Sequence, residues 1–225
     1  RRQRQMCIRD RSSSFKLNKD VFGFPIQWIP KNPRWQNYVD IWTQIPLLTF
    51  VKNTVKITVV VTLLQLFTSS FAAYAFAKMQ FKGKNALFLG YIATIAVPWQ
   101  AYMVPQFMMM SSWHLNNTHL AIMCLQAFSA FGVFLMKQFY EGVPTELCEA
   151  ARIDGLSEYG IWWHIMLPLS LPALSTLTIF TFVNTWNDFL GPLIYLTKTE
   201  LKTIQIGLRM FLSLIHISEP TRPRL

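Results

Sequence analysis

Charged residues are scarce in this sequence and are missing altogether from three long stretches. Only 14% of the residues are Asp, Glu, Lys or Arg, whereas a soluble domain carries about 25%. No charged residue occurs in 57–77, 85–136 or 165–187. A helix of about 20 residues spans the hydrocarbon core of a bilayer, where each backbone polar group must be bonded within its own segment. These stretches predict membrane-spanning helices and argue against a large soluble core.

The sequence also lacks the residue patterns that disulfide, zinc, ATP-binding and catalytic sites require. Cys7, Cys124 and Cys148 form no CxxC pair, so neither a disulfide framework nor a zinc site is indicated. The sequence has no GxxxxGK loop followed by Ser or Thr, which indicates that the chain does not itself bind ATP. Asp188 is the only acid inside a predicted span, so an intramembrane enzyme with paired acid–base groups is not expected. We predict no catalytic residue, no metal ligand and no cofactor.

Much of the net charge of +10 lies at the two ends of the chain. No basic helix interleaved with aromatic residues occurs elsewhere, so nucleic-acid binding is not expected. Segment 1–13 is not a signal peptide, because no apolar core follows its charges. Segments 1–13 and 213–225 both resemble translated sequencing-library adapter. We interpret them as non-native tails of a chain that is truncated on both sides.

The remaining sequence, 47–212, is predicted to be an all-α, polytopic helical membrane core. Its spanning helices are expected at about 48–77, 86–110, 119–139 and 169–196. Pro98 and Pro105 are expected to kink the second of these. The preceding region, 20–46, is rich in Pro and Trp and predicts an outer loop with a short interfacial helix.

Lysine placement predicts how the core is oriented. The turn at 78–84 carries Lys78, Lys82 and Lys84, and the turn at 111–118 has no Lys or Arg. Because short cytoplasmic loops are enriched in positive charge, the first turn is assigned to the cytoplasm and the second to the outside. Alternation then places the polar segment 141–167, which is too charged to span, in the cytoplasm.

Segment 141–167 contains the signals of two short helices joined by a tight turn. Pro144 suits the start of a helix over 145–154, and Gly155 is expected to end it in the left-handed conformation. Ser157 can cap the second helix, which Pro168 is expected to end.

The first of these helices carries a surface suited to another protein. Ala150 and Ala151 predict a low, smooth patch, with Glu149 and Arg152 as flanking charges. Such a patch suits docking into a groove.

The spacing of these residues resembles a known motif. Glu149, Ala150, Ala151, Gly155, Ile165, Leu167 and Pro168 match the EAA loop of bacterial ABC importer permeases. The stretch FVNTWNDFLGPLIYL resembles the fifth helix of the carbohydrate branch, close to the maltose-type permeases. The resemblance implies a type I ABC importer permease core, with the second to fifth of the family's six spanning helices present and the first and last missing.

The resemblance also implies a mechanism and partners. The helix 145–154 would be a coupling helix in a cleft of a cytoplasmic ABC ATPase subunit, with Glu149 pairing to a basic residue there. Ala150 and Ala151 would allow close approach, and Asp154, Gly155 and Pro168 would complete the loop. The other partners would be a second homologous permease and an extracytoplasmic solute-binding protein at the bacterial inner membrane. ATP would be bound by the ATPase, and a sugar would cross by alternating access.

Polar residues in the fourth predicted span are candidates for the translocation path. Asn184, Asn187 and Asp188 are spaced i, i+3 and i+4, which places them on one helix face. A carboxylate at membrane depth normally faces protein or a water-filled cavity. Trp186 or Trp99 is suited to stack on a sugar ring, and Gln65 and Gln100 are weaker candidates. Helix–helix hydrogen bonding, or a position of Asp188 near the outer interface, explains the same residues equally well.

Other functions remain open at this point. Within the same family, an importer of glycerol-phosphate or amino acids is the nearest alternative. A non-ABC polytopic transporter or channel would need no ATPase, and the EAA spacing argues against it.

Overall fold

We describe the protein from a computed structural model, which covers Trp35, Gln36 and residues 46–210. The chain divides into two units, 1–49 and 50–225, and of the first only Trp35, Gln36 and 46–49 are described. The predicted tails, 1–13 and 213–225, and nearly all of the predicted outer loop lie outside the described residues.

The described residues form helices and connecting turns, and no strand occurs among them. In chain order the helices are α1 (Leu47–Lys78), α2 (Lys84–Ala96), α3 (Trp99–Ser112), α4 (His119–Gln126), α5 (Ala130–Glu141), α6 (Thr145–Ile153), α7 (Glu158–Leu169), α8 (Leu171–Trp186) and α9 (Leu190–Tyr195). A π turn at Trp162–Met166 lies within α7, a 3-10 turn follows at Thr199–Leu201, and 204–210 is helical.

Two of the four predicted spans correspond to helical segments that are long and apolar enough to cross a membrane without a sharp bend. Helix α1 has 32 residues with a mean hydropathy of 1.7 in its most apolar window. Helices α4 and α5 together, His119–Glu141, have 23 residues and a mean hydropathy of 1.8, and a short break at 127–129 separates them. Both agree with the spans predicted at 48–77 and 119–139.

The second predicted span is broken rather than kinked. Helices α2 and α3 meet at an angle of 102°, and Pro98 at the junction is extended, with φ −64° and ψ 139°. Proline disfavours the helical conformation of the residue before it and cannot donate a backbone hydrogen bond. Pro105, which was also expected to kink the span, lies inside α3 without ending it.

The fourth predicted span, 169–196, is divided between α8, which ends at Trp186, and α9, which begins at Leu190. Pro168 does not end the helix before this span. Helix α7 continues through Pro168 to Leu169 and then bends by 79° into α8. The bend lies at Ser170, because Pro172 has no N–H to offer to the carbonyl of Pro168. Ser170 is buried at this bend. Its hydroxyl donates to the Leu167 carbonyl at 2.9 Å and lies 3.3 Å from the Tyr140 hydroxyl.

Two apolar clusters hold the second unit together. The loop cluster joins α1, α5, α6, α7 and α8, and its buried members are Ala73, Tyr74, Val133, Met136, Tyr140, Cys148, Ala151, Ile161, Trp162, Met166, Ala173 and Leu177. The distal cluster joins α1, α3, α4 and α9 through Ile57, Val61, Met110, Ala121, Ile122, Met123, Tyr195 and Leu196. Helix α1 contributes to both clusters and is one continuous helix between them.

Close packing of α5 against α1 depends on Gly132. A Cβ atom at this position would lie 2.5 Å from the Ser69 hydroxyl oxygen and 3.3 Å from a Leu177 methyl group. We expect Gly132→Ala to lower the free energy of unfolding by about 1–3 kcal/mol through overpacking, measured by thermal unfolding of the purified protein in detergent. The matched control is Gly90→Ala, since no atom lies within 4 Å of a Cβ there. Equal melting temperatures for the two variants would contradict this packing.

Candidate functional site

The polar loop after α5 folds as its sequence predicts. Pro144 precedes α6 in an extended conformation, and Asp154 caps the other end of this helix. Gly155 has φ +84°, a conformation that glycine adopts without steric cost. The N–H of Leu156 then reaches back to the Ala151 carbonyl at 3.0 Å. This confirms the two short helices and the tight glycine turn between them.

The second helix of the loop begins with the predicted cap. The Ser157 hydroxyl accepts the N–H of Gly160 at 3.2 Å, which satisfies one of the free donors at the start of α7.

The alanine pair, in contrast, is not a continuous exposed patch. Ala150 is exposed, whereas Ala151 is buried in the loop cluster beside Cys148. Successive residues of a helix point about 100° apart, and here the step from Ala150 to Ala151 turns the side chain from the exposed face into the loop cluster. The outward face of α6 instead combines Ala150 with Glu149 and Ile153, both of them exposed. The prediction that Ala151 contributes a docking surface is therefore wrong, and its small side chain serves packing within the chain.

A charged clamp connects the loop to α1. The Arg152 guanidinium donates to both carboxylate oxygens of Glu158, with Nε at 2.6 Å and Nη2 at 3.2 Å. The Tyr74 hydroxyl of α1 donates to the same carboxylate at 2.6 Å. The neighbouring Arg152 guanidinium and the Tyr74 hydroxyl lower the pKa of the Glu158 carboxyl. Arg152 was expected to flank a docking patch, and in the structure it forms an ion pair with Glu158 of the same chain.

Glu149 has a different environment from Arg152. It is exposed, and within the part of the chain that the structure describes it forms no hydrogen bond or ion pair. The ammonium group of Lys78 donates to the Val143 carbonyl, which ties the other end of the loop to the end of α1. The loop is therefore held at Val143 and Glu158, and Glu149 projects from it with a free carboxylate.

The predicted translocation residues meet at a cavity of about 710 Å³. Asn184, Asn187 and Asp188 all line it, and so do Gln65 and Trp99. Trp186 does not; its ring stacks on Phe182 with centroids 5.6 Å apart. The structure therefore brings three of the four predicted residues together at this cavity, and Trp186 is not among the residues that line it.

The spacing of Asn184, Asn187 and Asp188 predicted one shared helix face, and this prediction is wrong. Helix α8 ends at Trp186, with Asn187 as its capping residue, so the three residues do not share one helix face. The Asp188 carboxylate accepts the N–H of Gly191 at 3.2 Å, in the first turn of α9. Asp188 faces the cavity because the chain turns after the end of α8, and its orientation is not set by the periodicity of that helix.

A chain of hydrogen bonds forms one wall of the cavity. The Thr181 hydroxyl donates to the Gln65 side-chain oxygen at 2.8 Å, and the Gln65 amide donates to the Gln126 carbonyl at 2.7 Å. The Gln126 side chain in turn donates to Asp188 at 2.7 Å. Sequence analysis missed Gln126 and Thr181, although an amide inside an apolar segment is an available signal. Gln100, by contrast, is not among the lining residues.

Comparison with known proteins decides the family. Residues 65–216 match the family described as "Binding-protein-dependent transport system inner membrane component". The chain belongs to this family. It is a multi-pass inner-membrane protein, in agreement with the spans described above, and the match covers both the loop after α5 and the cavity.

Two similar proteins are named for sugar transport. The chain is 37% identical over 204 residues to the arabinooligosaccharides transport system permease protein AraQ of Halalkalibacterium halodurans, covering 89% of this chain and 73% of that protein. It is 36% identical over 172 residues to the lactose transport system permease protein LacG of Rhizobium radiobacter, covering 76% of this chain and 63% of that protein. The chain therefore spans more than two thirds of the length of AraQ and less than two thirds of the length of LacG.

A solved structure has the same fold. It is the crystal structure of a bacterial ABC transporter involved in the import of the acidic polysaccharide alginate, with a TM-score of 0.81 and 24% identity. The match covers 96% of this chain and 75% of the chain in that structure. It confirms the prediction of an all-α fold.

Proposed function

We propose that this chain is the transmembrane permease subunit of an ATP-driven importer that moves a sugar or oligosaccharide across the bacterial inner membrane by alternating access. The family and the named sugar permeases support this assignment. ATP is bound and hydrolysed by a separate cytoplasmic ABC ATPase. A second homologous permease and an extracytoplasmic solute-binding protein complete the assembly.

The observation that carries the coupling part of the proposal is the free carboxylate of Glu149 on an anchored helix. Helix α6 offers Glu149 and Ala150 outward, while Ala151 and Cys148 hold its other face in the loop cluster. A force applied at Glu149 acts on α1 through the clamp and on α8 through α7. Such an arrangement converts movement of a docked ATPase into rotation of spanning helices.

The orientation on which this role depends can be tested by labelling. Ile153 on α6 is 86% exposed, so Ile153→Cys should react with a membrane-impermeant maleimide in inverted vesicles and remain unlabelled in intact cells. The native Cys148 can stay in place, because burial raises the pKa of its thiol and shields it, whereas Cys7 and Cys124 are replaced by Ala.

The matched control is Glu200→Cys in the loop after α9, which is also exposed. Because the fourth predicted span follows the cytoplasmic segment 141–167, alternation places this loop outside. Glu200→Cys should show the opposite labelling pattern. Labelling of Ile153→Cys in intact cells would place α6 outside and exclude contact with a cytoplasmic ATPase.

A further inference from the structure

The cavity carries charge of only one sign. Among the described residues that line it, Asp188 is the only acid, and Lys, Arg and His are absent. The guanidinium of Arg209 lies over the Phe189 ring, 5.3 Å from its centroid, and forms no ion pair with Asp188 in the described part of the chain. A negative charge in a partly enclosed site is screened less than one at an open surface. The cavity therefore disfavours anions.

The Asp188 carboxylate is held in place and still has free acceptor capacity. One oxygen accepts the Gln126 amide at 2.7 Å and the other accepts the N–H of Gly191 at 3.2 Å. A carboxylate offers about four acceptor sites, so roughly two are left for hydroxyl groups. The main-chain carbonyl of Gln126 accepts the Gln65 side-chain amide, which ties the backbone of Gln126 to α1. The bonds from Gln126 and Gly191 restrain the Asp188 carboxylate.

The rest of the lining suits a ring with many hydroxyl groups. The side-chain amides of Asn184 and Asn187 both donate and accept hydrogen bonds, as sugar hydroxyls do, and both residues are exposed at the cavity. Phe131 and Phe180 meet edge to face, with centroids 5.6 Å apart, and offer apolar surface to the C–H face of a ring. Ligand sites commonly combine apolar walls with a few placed polar groups in this way.

We infer that this cavity admits uncharged sugars and discriminates against anionic ones, such as uronate oligosaccharides and sugar phosphates, and that Asp188 sets this discrimination. The inference rests on the proposed function. Family membership does not decide whether the cavity admits charged sugars, because similar proteins differ in this respect. LacG is named for the transport of lactose, which is uncharged, whereas the solved structure is of a transporter involved in the import of alginate, which is acidic.

The test measures binding at the cavity alone. The full-length transporter is purified with its ATPase and partner permease but without solute-binding protein, and equilibrium dialysis compares lactose, arabinotriose and maltotriose with trigalacturonate. We expect the best neutral sugar to bind about tenfold or more tightly than trigalacturonate, because like charges oppose each other in a weakly screened site. Asp188→Asn should reduce this ratio by strengthening trigalacturonate binding.

Two further variants separate charge from folding. Asn184→Lys adds a cation at an exposed lining position and should also strengthen trigalacturonate binding, whereas Asp188→Glu keeps the charge and should preserve the discrimination. Equal binding of trigalacturonate and neutral sugars by the unaltered transporter would overturn the inference. So would an unchanged ratio in both Asp188→Asn and Asn184→Lys.

Uptake by cells distinguishes failure of this inference from failure of the proposed function. If no sugar binds to the purified complex but uptake of a neutral sugar requires the chain, the cavity is not the sugar site and the proposed function stands. If no sugar uptake requires the chain, the proposed function fails as well.

Discussion

Glu149→Lys is expected to abolish ATP-driven uptake while leaving the fold of the permease intact. Glu149 is exposed and forms no ion pair within the described residues, so its replacement breaks no contact there. Loss of a charged contact at a protein interface costs about 2–5 kcal/mol, which corresponds to a loss of binding of roughly 30-fold or more. The measurements are co-purification of the ATPase with the full-length permease and sugar uptake by the cells.

The matched control for Glu149→Lys lies on the same helix. Glu146 is also an exposed acid of α6, one turn earlier, and Glu146→Lys changes the net charge by the same amount. If Glu149 makes a specific contact, Glu146→Lys should cost far less in ATPase binding. Equal losses in the two variants would mean that the helix attracts its partner only by overall charge. Unchanged ATPase assembly and uptake in Glu149→Lys would remove Glu149 from the coupling role.

Glu158→Gln should uncouple ATP hydrolysis from uptake without dissociating the ATPase. The substitution keeps the size of the side chain but removes the charge that Arg152 and Tyr74 share. Hydrogen bonds to a charged group contribute about 1.5–3 kcal/mol, but the Arg152–Glu158 pair is about 40% exposed, so its own share is under about 1 kcal/mol. We expect the sugar imported per ATP hydrolysed to fall by about tenfold, measured in proteoliposomes.

Two controls identify the contact responsible. Tyr74→Phe removes only the hydroxyl that reaches from α1 to Glu158 and should reproduce most of the uncoupling, since this bond joins the loop to a spanning helix. Arg152→Gln removes only the exposed ion pair and should have a smaller effect. If Tyr74→Phe transports as efficiently as the unaltered protein, the clamp does not transmit force.

The clamp also predicts a direction of pH dependence. The pKa of Glu158 is lowered in the folded protein, first by Arg152 and then by Tyr74. A carboxyl with a lowered pKa stabilises the fold above its unfolded pKa, and this stabilisation is lost as pH falls through the folded pKa. Coupling should therefore be complete at neutral pH and decrease under acidic conditions, and Glu158→Gln should not show this acid-dependent decrease.

The two-helix loop at 141–167 was predictable because its signals are local. Pro144, Gly155 and Ser157 act through backbone geometry and capping within a few residues, and the structure has a short helix, a left-handed glycine and a capped helix at these positions. The spans at 48–77 and 119–139 were predictable for a similar reason, since length and lack of charge alone decide whether a helix can cross a bilayer.

Features that depend on distant residues could not be read in the same way. The partner of Arg152 is Glu158, whose second partner is Tyr74 at a separation of 84 positions. Ala151 is buried in a cluster whose other members come from α1, α5, α7 and α8 as well as α6, so its burial depends on the packing of these helices. The exclusion of Trp186 from the cavity follows from its stacking on Phe182 and from the end of α8.

The sequence by itself determined that this protein is an all-α membrane protein with a two-helix loop beside its spans, because charge depletion, capping and turn formation act over short stretches of chain. Only the tertiary structure decided which side of α6 is free, where the second and fourth spans bend, and which polar groups meet at the cavity. Those outcomes depend on the packing of side chains from separate helices, which spacing along one helix does not determine.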